Sequence, residues 1–157
     1  MRVYVPLTLP GLAEAYKTGE LGEGAFVAYA VTPALREWYL SDDIEELEYA
    51  ALNRAAHASL RLLAVDPGAV RRRVVVAVDV ADRDAVADPD RGLDPAALGE
   101  VRVAGPVPLG KAAAVHVDSA EAGGGGGGPR NALGLLLYTS YPPDTPPRFN
   151  WTDHRAA

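Results

Sequence analysis

Eight consecutive residues, Arg73-Val74-Val75-Val76-Ala77-Val78-Asp79-Val80, constrain this chain more than any others. β-branched valines dominate the run, and they suit an extended, pleated backbone better than a helix. Successive side chains on a strand point to opposite faces, so this strand is apolar on both faces until Asp79. Such a strand belongs in the middle of a sheet with both faces covered. The rest of the chain must supply neighbouring strands and that cover.

The longest helical pattern, residues 42–64, is the obvious covering element. Ser41 or Asp42 can cap its start, and Asp42 with Glu45 has capping-box spacing. Ile44, Leu47, Ala51, Ala55, Ala58 and Leu62 form its core stripe, widened by Leu52, Ala56 and Leu63. Asp43, Glu46, Asn53, His57 and Arg61 fall on the opposite side. Five acids lie within residues 42–48 with no base among them, and Arg54 and Arg61 follow later. That order matches the helix dipole, which explains the acids without a metal.

Further elements are shorter. Val3, Val5, Leu7 and Leu9 alternate as a first strand. Thr8 caps a helix running to about Lys17, which Gly19 ends. Residues 25–31 read as a second strand, and Thr32-Pro33 opens a helical turn through Trp38. Strand, helix and strand suggest a βαβ unit, although so short a connection strains a parallel crossover. Trp38 and Tyr39 are expected to plug the core. Residues 82–99 read as an irregular connection with a short helix near Pro95 to Leu98. Residues 101–103 and 113–117 alternate as strands, with a bend at Pro106 and Pro108, and Leu133 to Tyr138 returns as a last strand. The expected fold is α/β of the α+β kind: a single mixed sheet of four to six strands, with one long helix and one or two short helices packed on it.

A chain of 157 residues fits one domain. Residues 1–122 together with 133–141 are assigned to it. Six glycines at 123–128, followed by Pro129, cannot recover their ordering entropy. Residues 123–130 are therefore read as a flexible loop, and the proline-rich residues 142–157 as a C-terminal tail.

Composition removes several functions. There is no cysteine, so disulfide and thiolate chemistry are excluded. The net charge of −6 argues against nucleic acid as a partner, and Arg71-Arg72-Arg73 reads as a solvated edge. Residues 1–5 lack signal-peptide features, and no stretch reaches the roughly 18 apolar residues of a membrane span. Both point to the cytoplasm, with no membrane partner. The glycine run lacks the Gly-Lys-Ser/Thr of a phosphate loop, and no Gly-x-Ser-x-Gly elbow is present. No metal site and no cofactor are expected.

A few residues remain as candidates. His116-x-Asp118 puts an imidazole and a carboxylate on one strand face, here expected to be the exposed face of an edge strand. A metal site usually wants three or four ligands. Glu48 projects within the apolar arc of the long helix, where a carboxylate must be paired or protonated. Arg36 or Arg73 is its expected partner. Asp79 lies near the C-terminal end of the central strand, where ligands commonly bind in open α/β sheets. Arg36, Glu48 and Asp79 therefore form a candidate ligand cleft, with a structural ion pair as the alternative. Phe149 and Trp151 lie in the tail after Pro146-Pro147-Arg148, and aromatics in such a segment can dock onto a protein partner or, equally, fold back onto the domain.

Four stretches carry a family resemblance: Met1 to Pro10, Tyr29 to Arg36, Glu46 to Ala50, and Arg73 to Asp79. Together they resemble a family of small actinobacterial proteins known as a domain of unknown function. The resemblance covers roughly residues 1–118, and Leu135 to Tyr138 more loosely. It implies a bacterial cytoplasmic setting and no particular activity. With no nucleophile, metal cluster or cofactor loop in view, the residues point to a non-catalytic protein-binding or regulatory domain. The alternative is a small-molecule enzyme or ligand-binding domain using the Arg/carboxylate cleft.

Overall fold

A computed structural model describes residues 1–66, 68, 71–88, 91 and 94–118, together with the backbone of 135–138. The glycine run, the tail, and Phe149, Trp151 and His154 lie outside the described residues.

Among the described residues, nine strands and three α-helices follow in chain order: β1 (Arg2–Leu7), α1 (Leu9–Thr18), β2 (Glu20–Leu21), β3 (Phe26–Ala30), α2 (Pro33–Tyr39), α3 (Ile44–Val65), β4 (Val74–Asp79), β5 (Ala85–Val86), β6 (Glu100–Val103), β7 (Val107–Pro108), β8 (Ala112–Asp118) and β9 (Leu135–Tyr138). The valine run is β4, central as its pattern demands. The main sheet has the order β5-β6-β3-β1-β4-β8-β9, and β2 pairs with β7 in a second, small sheet.

The α+β class and the long helix on the sheet are as expected. Among the described residues the sheet has seven strands, and every pairing in it is antiparallel rather than mixed. The βαβ reading is corrected accordingly, because β1 and β3 are antiparallel neighbours. α1 does not cross the sheet. It turns at Gly19, whose φ of 78° is easy only for glycine, and the small β2 follows it before β3 enters.

Two layers cover the sheet. Val3, Val5, Val74, Val76, Val78, Val101 and Val103 point to one face and pack with Leu12 and Ala15 of α1 and with Leu21, Val107 and Leu109. Tyr4, Tyr29, Val75 and Ala77 point to the other, beneath Leu35 of α2 and the alanines of α3. Small residues along α3 let the helix lie close to the strands.

Local chemistry sets the helix ends. Thr8 and Thr32 accept the Gly11 and Leu35 amides as N-caps of α1 and α2. α3 starts slightly later than expected, because Asp43 is the cap and its Oδ1 accepts the Glu45 amide at 3.0 Å. Its buried face runs from Leu47 to Leu63. Ile44 and Leu62, expected in the core stripe, are substantially exposed. Ile44 belongs to the first turn, ahead of the buried stretch. Ala50 lies on the buried face instead, alongside Ser59.

Candidate functional site

Arg2 faces Asp79 across the β1–β4 ladder, and Tyr4 lies two residues along on the same face. The Arg2 guanidinium forks onto Asp79, with Nε to Oδ1 at 3.1 Å and Nη2 to Oδ2 at 3.2 Å. The Asp79 carboxylate raises the Arg2 pKa, with Tyr4 and Glu48 adding smaller contributions of the same sign. Tyr4 is buried under α3 and donates a 3.4 Å hydrogen bond to Glu48 Oε2. Burial first, and the Glu48 charge second, push its hydroxyl far above the ordinary tyrosine range. Tyr4 therefore stays a protonated donor.

The structure thus brings Glu48 and Asp79 to one electrostatic neighbourhood, but the arginine joining them is Arg2. Arg36 stands exposed on α2 and takes no part in these contacts. Its expected pairing with Glu48 is corrected. The chemistry available here is an exposed ion pair beside a tyrosine–carboxylate hydrogen bond.

The alternative partner, Arg73, is committed elsewhere. It forks onto Asp118, with Nη2 to Oδ1 at 2.8 Å and Nε to Oδ2 at 3.0 Å, and its own amide donates to Oδ2 at 2.8 Å. His116 was expected on an exposed edge. β8 instead lies between β4 and β9, and His116 is only 7% exposed. Burial lowers its pKa to about 4, and its Nδ1 has no partner among the described residues. His116 and Asp118 therefore do not act as a pair. Among the described residues, no group of three or more His, Asp or Glu side chains could hold a metal ion.

The corner between α2 and α3 departs furthest from expectation. Trp38, expected in the core, is 61% exposed, and Tyr39 beside it is 40% exposed. Leu40 ends α2 with φ 50° and ψ 41°, donating its amide to the Glu37 carbonyl at 3.2 Å. It is 89% exposed. A left-handed helix cap normally uses glycine, because a Cβ there is strained. Ile44, four residues on, is 49% exposed. Around these side chains lie exposed Glu37, Asp42, Asp43, Glu45 and Glu46. Asp43 caps α3 and Glu46 accepts from the Ser41 hydroxyl, whereas Glu37, Asp42 and Glu45 form no ion pair among the described residues. The sequence signal for this corner was the leucine at a helix end where a glycine is usual.

No helix among the described residues is long and apolar enough to cross a membrane. No curated protein and no solved structure matches the chain. One family model does, over residues 1–125, which takes in α1 to α3 and β1 to β8. The chain belongs to that family of unknown function, DUF6912.

Proposed function

We propose that this chain is a non-catalytic protein-binding domain, cytoplasmic in setting, whose docking surface is the α2–α3 corner. The observation that carries the reading is Leu40: a bulky side chain held in a left-handed cap and presented almost entirely to solvent. Burial does not repay its backbone strain, and strain of this kind persists where a site uses it. Trp38 beside it is of the residue type most enriched at binding hot spots.

The occupant follows from charge. Between Glu37 and Asn53 the chain carries acids and no base, so an apolar anchor entering the corner meets negative potential on its flanks. The fitting partner is a protein segment with a large apolar side chain flanked by lysine or arginine. Phe149 and Trp151 belong to the same proposal as a second docking element, tested separately by removing residues 142–157.

Selection from a displayed random-peptide library against the full chain tests the surface. Enriched peptides should combine an aromatic or leucine anchor with flanking bases, and their binding should weaken with salt. Capture should fail on Trp38→Ala and Leu40→Gly. Enriched peptides that bind both variants as well as the parent would exclude this corner.

A further inference from the structure

On the outer side of α3, Asn53, Arg54, His57 and Arg61 project within an arc of about 100° on a helical wheel. They form one wall of a pocket of about 280 Å³, closed by Tyr29 from β3, Tyr39 from α2 and Ala96 from the turn before β6. No carboxylate lines it among the described residues. That is notable in a chain of net charge −6. The nearby Asp94 turns its Oδ1 to the Ala96 amide at 2.9 Å.

Both arginines are held by neutral groups. Arg61 Nη2 donates to the Tyr29 hydroxyl at 3.2 Å, and Arg54 Nη1 donates to the Pro95 carbonyl at 2.9 Å. Neither contact neutralises a guanidinium. Arg54 Nε, buried, has no partner among the described residues. Two oriented guanidinium groups retain their charge and spare N–H donors, while Asn53, His57 and the tyrosine hydroxyls add hydrogen-bonding capacity.

We propose that this pocket binds a small phosphate monoester. Two fixed arginine charges match the charge of about −1.5 to −2 on a phosphomonoester better than the single charge of a carboxylate. The guanidinium fork is also the group best suited to phosphate oxygens. The volume is just below the roughly 300 Å³ at which ordinary ligand pockets begin, so a compact molecule fits and a dinucleotide does not. Tyr39 offers an aromatic wall beside the remainder of the ligand, and the Asn53 amide a polar contact. This site shares Tyr39 with the Leu40 corner, but its tests read different residues.

Calorimetric titration of the full chain with phenyl phosphate, phosphoserine, benzoate and a phosphoserine-containing peptide is the test. Phenyl phosphate and phosphoserine should bind saturably and benzoate much more weakly. Arg61→Gln should weaken phenyl phosphate binding about tenfold or more, the scale of a lost charge-assisted hydrogen bond. His57→Gln should weaken it less, and Arg83→Gln, on an exposed arginine outside the pocket, should bind as the parent does. Arg54 holds the Pro95 turn, so Arg61, exposed on the helix, is the informative position. Its variant's unchanged circular dichroism and thermal midpoint would show that the fold persists. No saturable binding of either small phosphate, or equal binding by the parent and Arg61→Gln, would overturn the proposal. So would binding of the phosphopeptide alone, which would reassign the site to a macromolecular partner.

Discussion

Ser59 accepts the Val74 amide at 2.9 Å and donates to the Leu7 carbonyl at 2.7 Å, placing a helix hydroxyl between the partners of one β1–β4 cross-strand pair. Ser59 is fully buried. Helix α3 is thereby registered against the two central strands by a directional contact, where alanine packing alone would let it slide.

Ser59→Ala removes that contact while leaving the space nearly filled. The buried Val74 N–H then loses its partner, and the part-buried Leu7 carbonyl loses a donor. The expected cost is about 1–3 kcal/mol. It should be read as a lowered urea midpoint at unchanged m-value, with the two-state character of the transition retained.

His116 makes stability pH-dependent in a definite direction. Its folded pKa of about 4 lies below the unfolded value of 6.5, so between those values the unfolded chain binds more protons. Stability is therefore complete above about pH 6.5 and declines as pH falls towards about 4, by up to about 3 kcal/mol for this group. His116→Leu should flatten that segment and cost little at pH 7, since the imidazole Nδ1 has no partner among the described residues. Urea midpoints of parent and variant between pH 7.5 and 4.5 measure the difference. Parallel curves would show that His116 is not the group responsible.

Arg73 and Asp118 tie the start of β4 to the end of β8. Both side chains are mostly buried, at 25% and 16% exposure, and the contact is bidentate. A double-mutant cycle on Arg73→Met and Asp118→Asn should therefore give a coupling energy of about 1–2 kcal/mol, well above an exposed pair. The Arg2–Asp79 pair, with both partners more than 40% exposed, should couple by less than about 1 kcal/mol under the same conditions. Equal coupling at the two sites would mean that burial is not what separates them.

Local and pattern-borne features were legible in the sequence. The valines of β4 announced a strand buried on both faces, Thr8 and Thr32 announced helix starts, and the cap candidates at Ser41 and Asp42 placed α3 within two residues of its observed start. Strand direction was not legible, because alternation carries no arrow. The parallel reading of β1 and β3 therefore had nothing to correct it until the register of Val3 with Ala30 was seen. Arg2 was passed over for the same reason, since its meeting with Asp79 is created by cross-strand register. His116 looked like an edge residue because a strand's pattern does not name its neighbours. Trp38 and Tyr39 were misplaced because an apolar side chain is expected inside, and the leucine after them is a sign of the corner only once the end of α2 is known. Asn53, His57 and Arg61 showed only as the solvent side of a helix, and Arg54 only as a base near its later turns. Tyr29, Tyr39 and the Pro95 turn, which make that side concave, come from distant parts of the chain.

Leu40→Gly is the measurement that bears most directly on the central claim, because stability and binding should move in opposite directions. Glycine relieves the left-handed cap by about 1 kcal/mol and loses almost no buried surface. The thermal midpoint should therefore rise by a few degrees, while binding of the basic, apolar-anchored peptides selected on the parent is lost. A variant that is more stable and still binds those peptides at parental affinity would show that the strained leucine is not kept for docking, and would contradict the account.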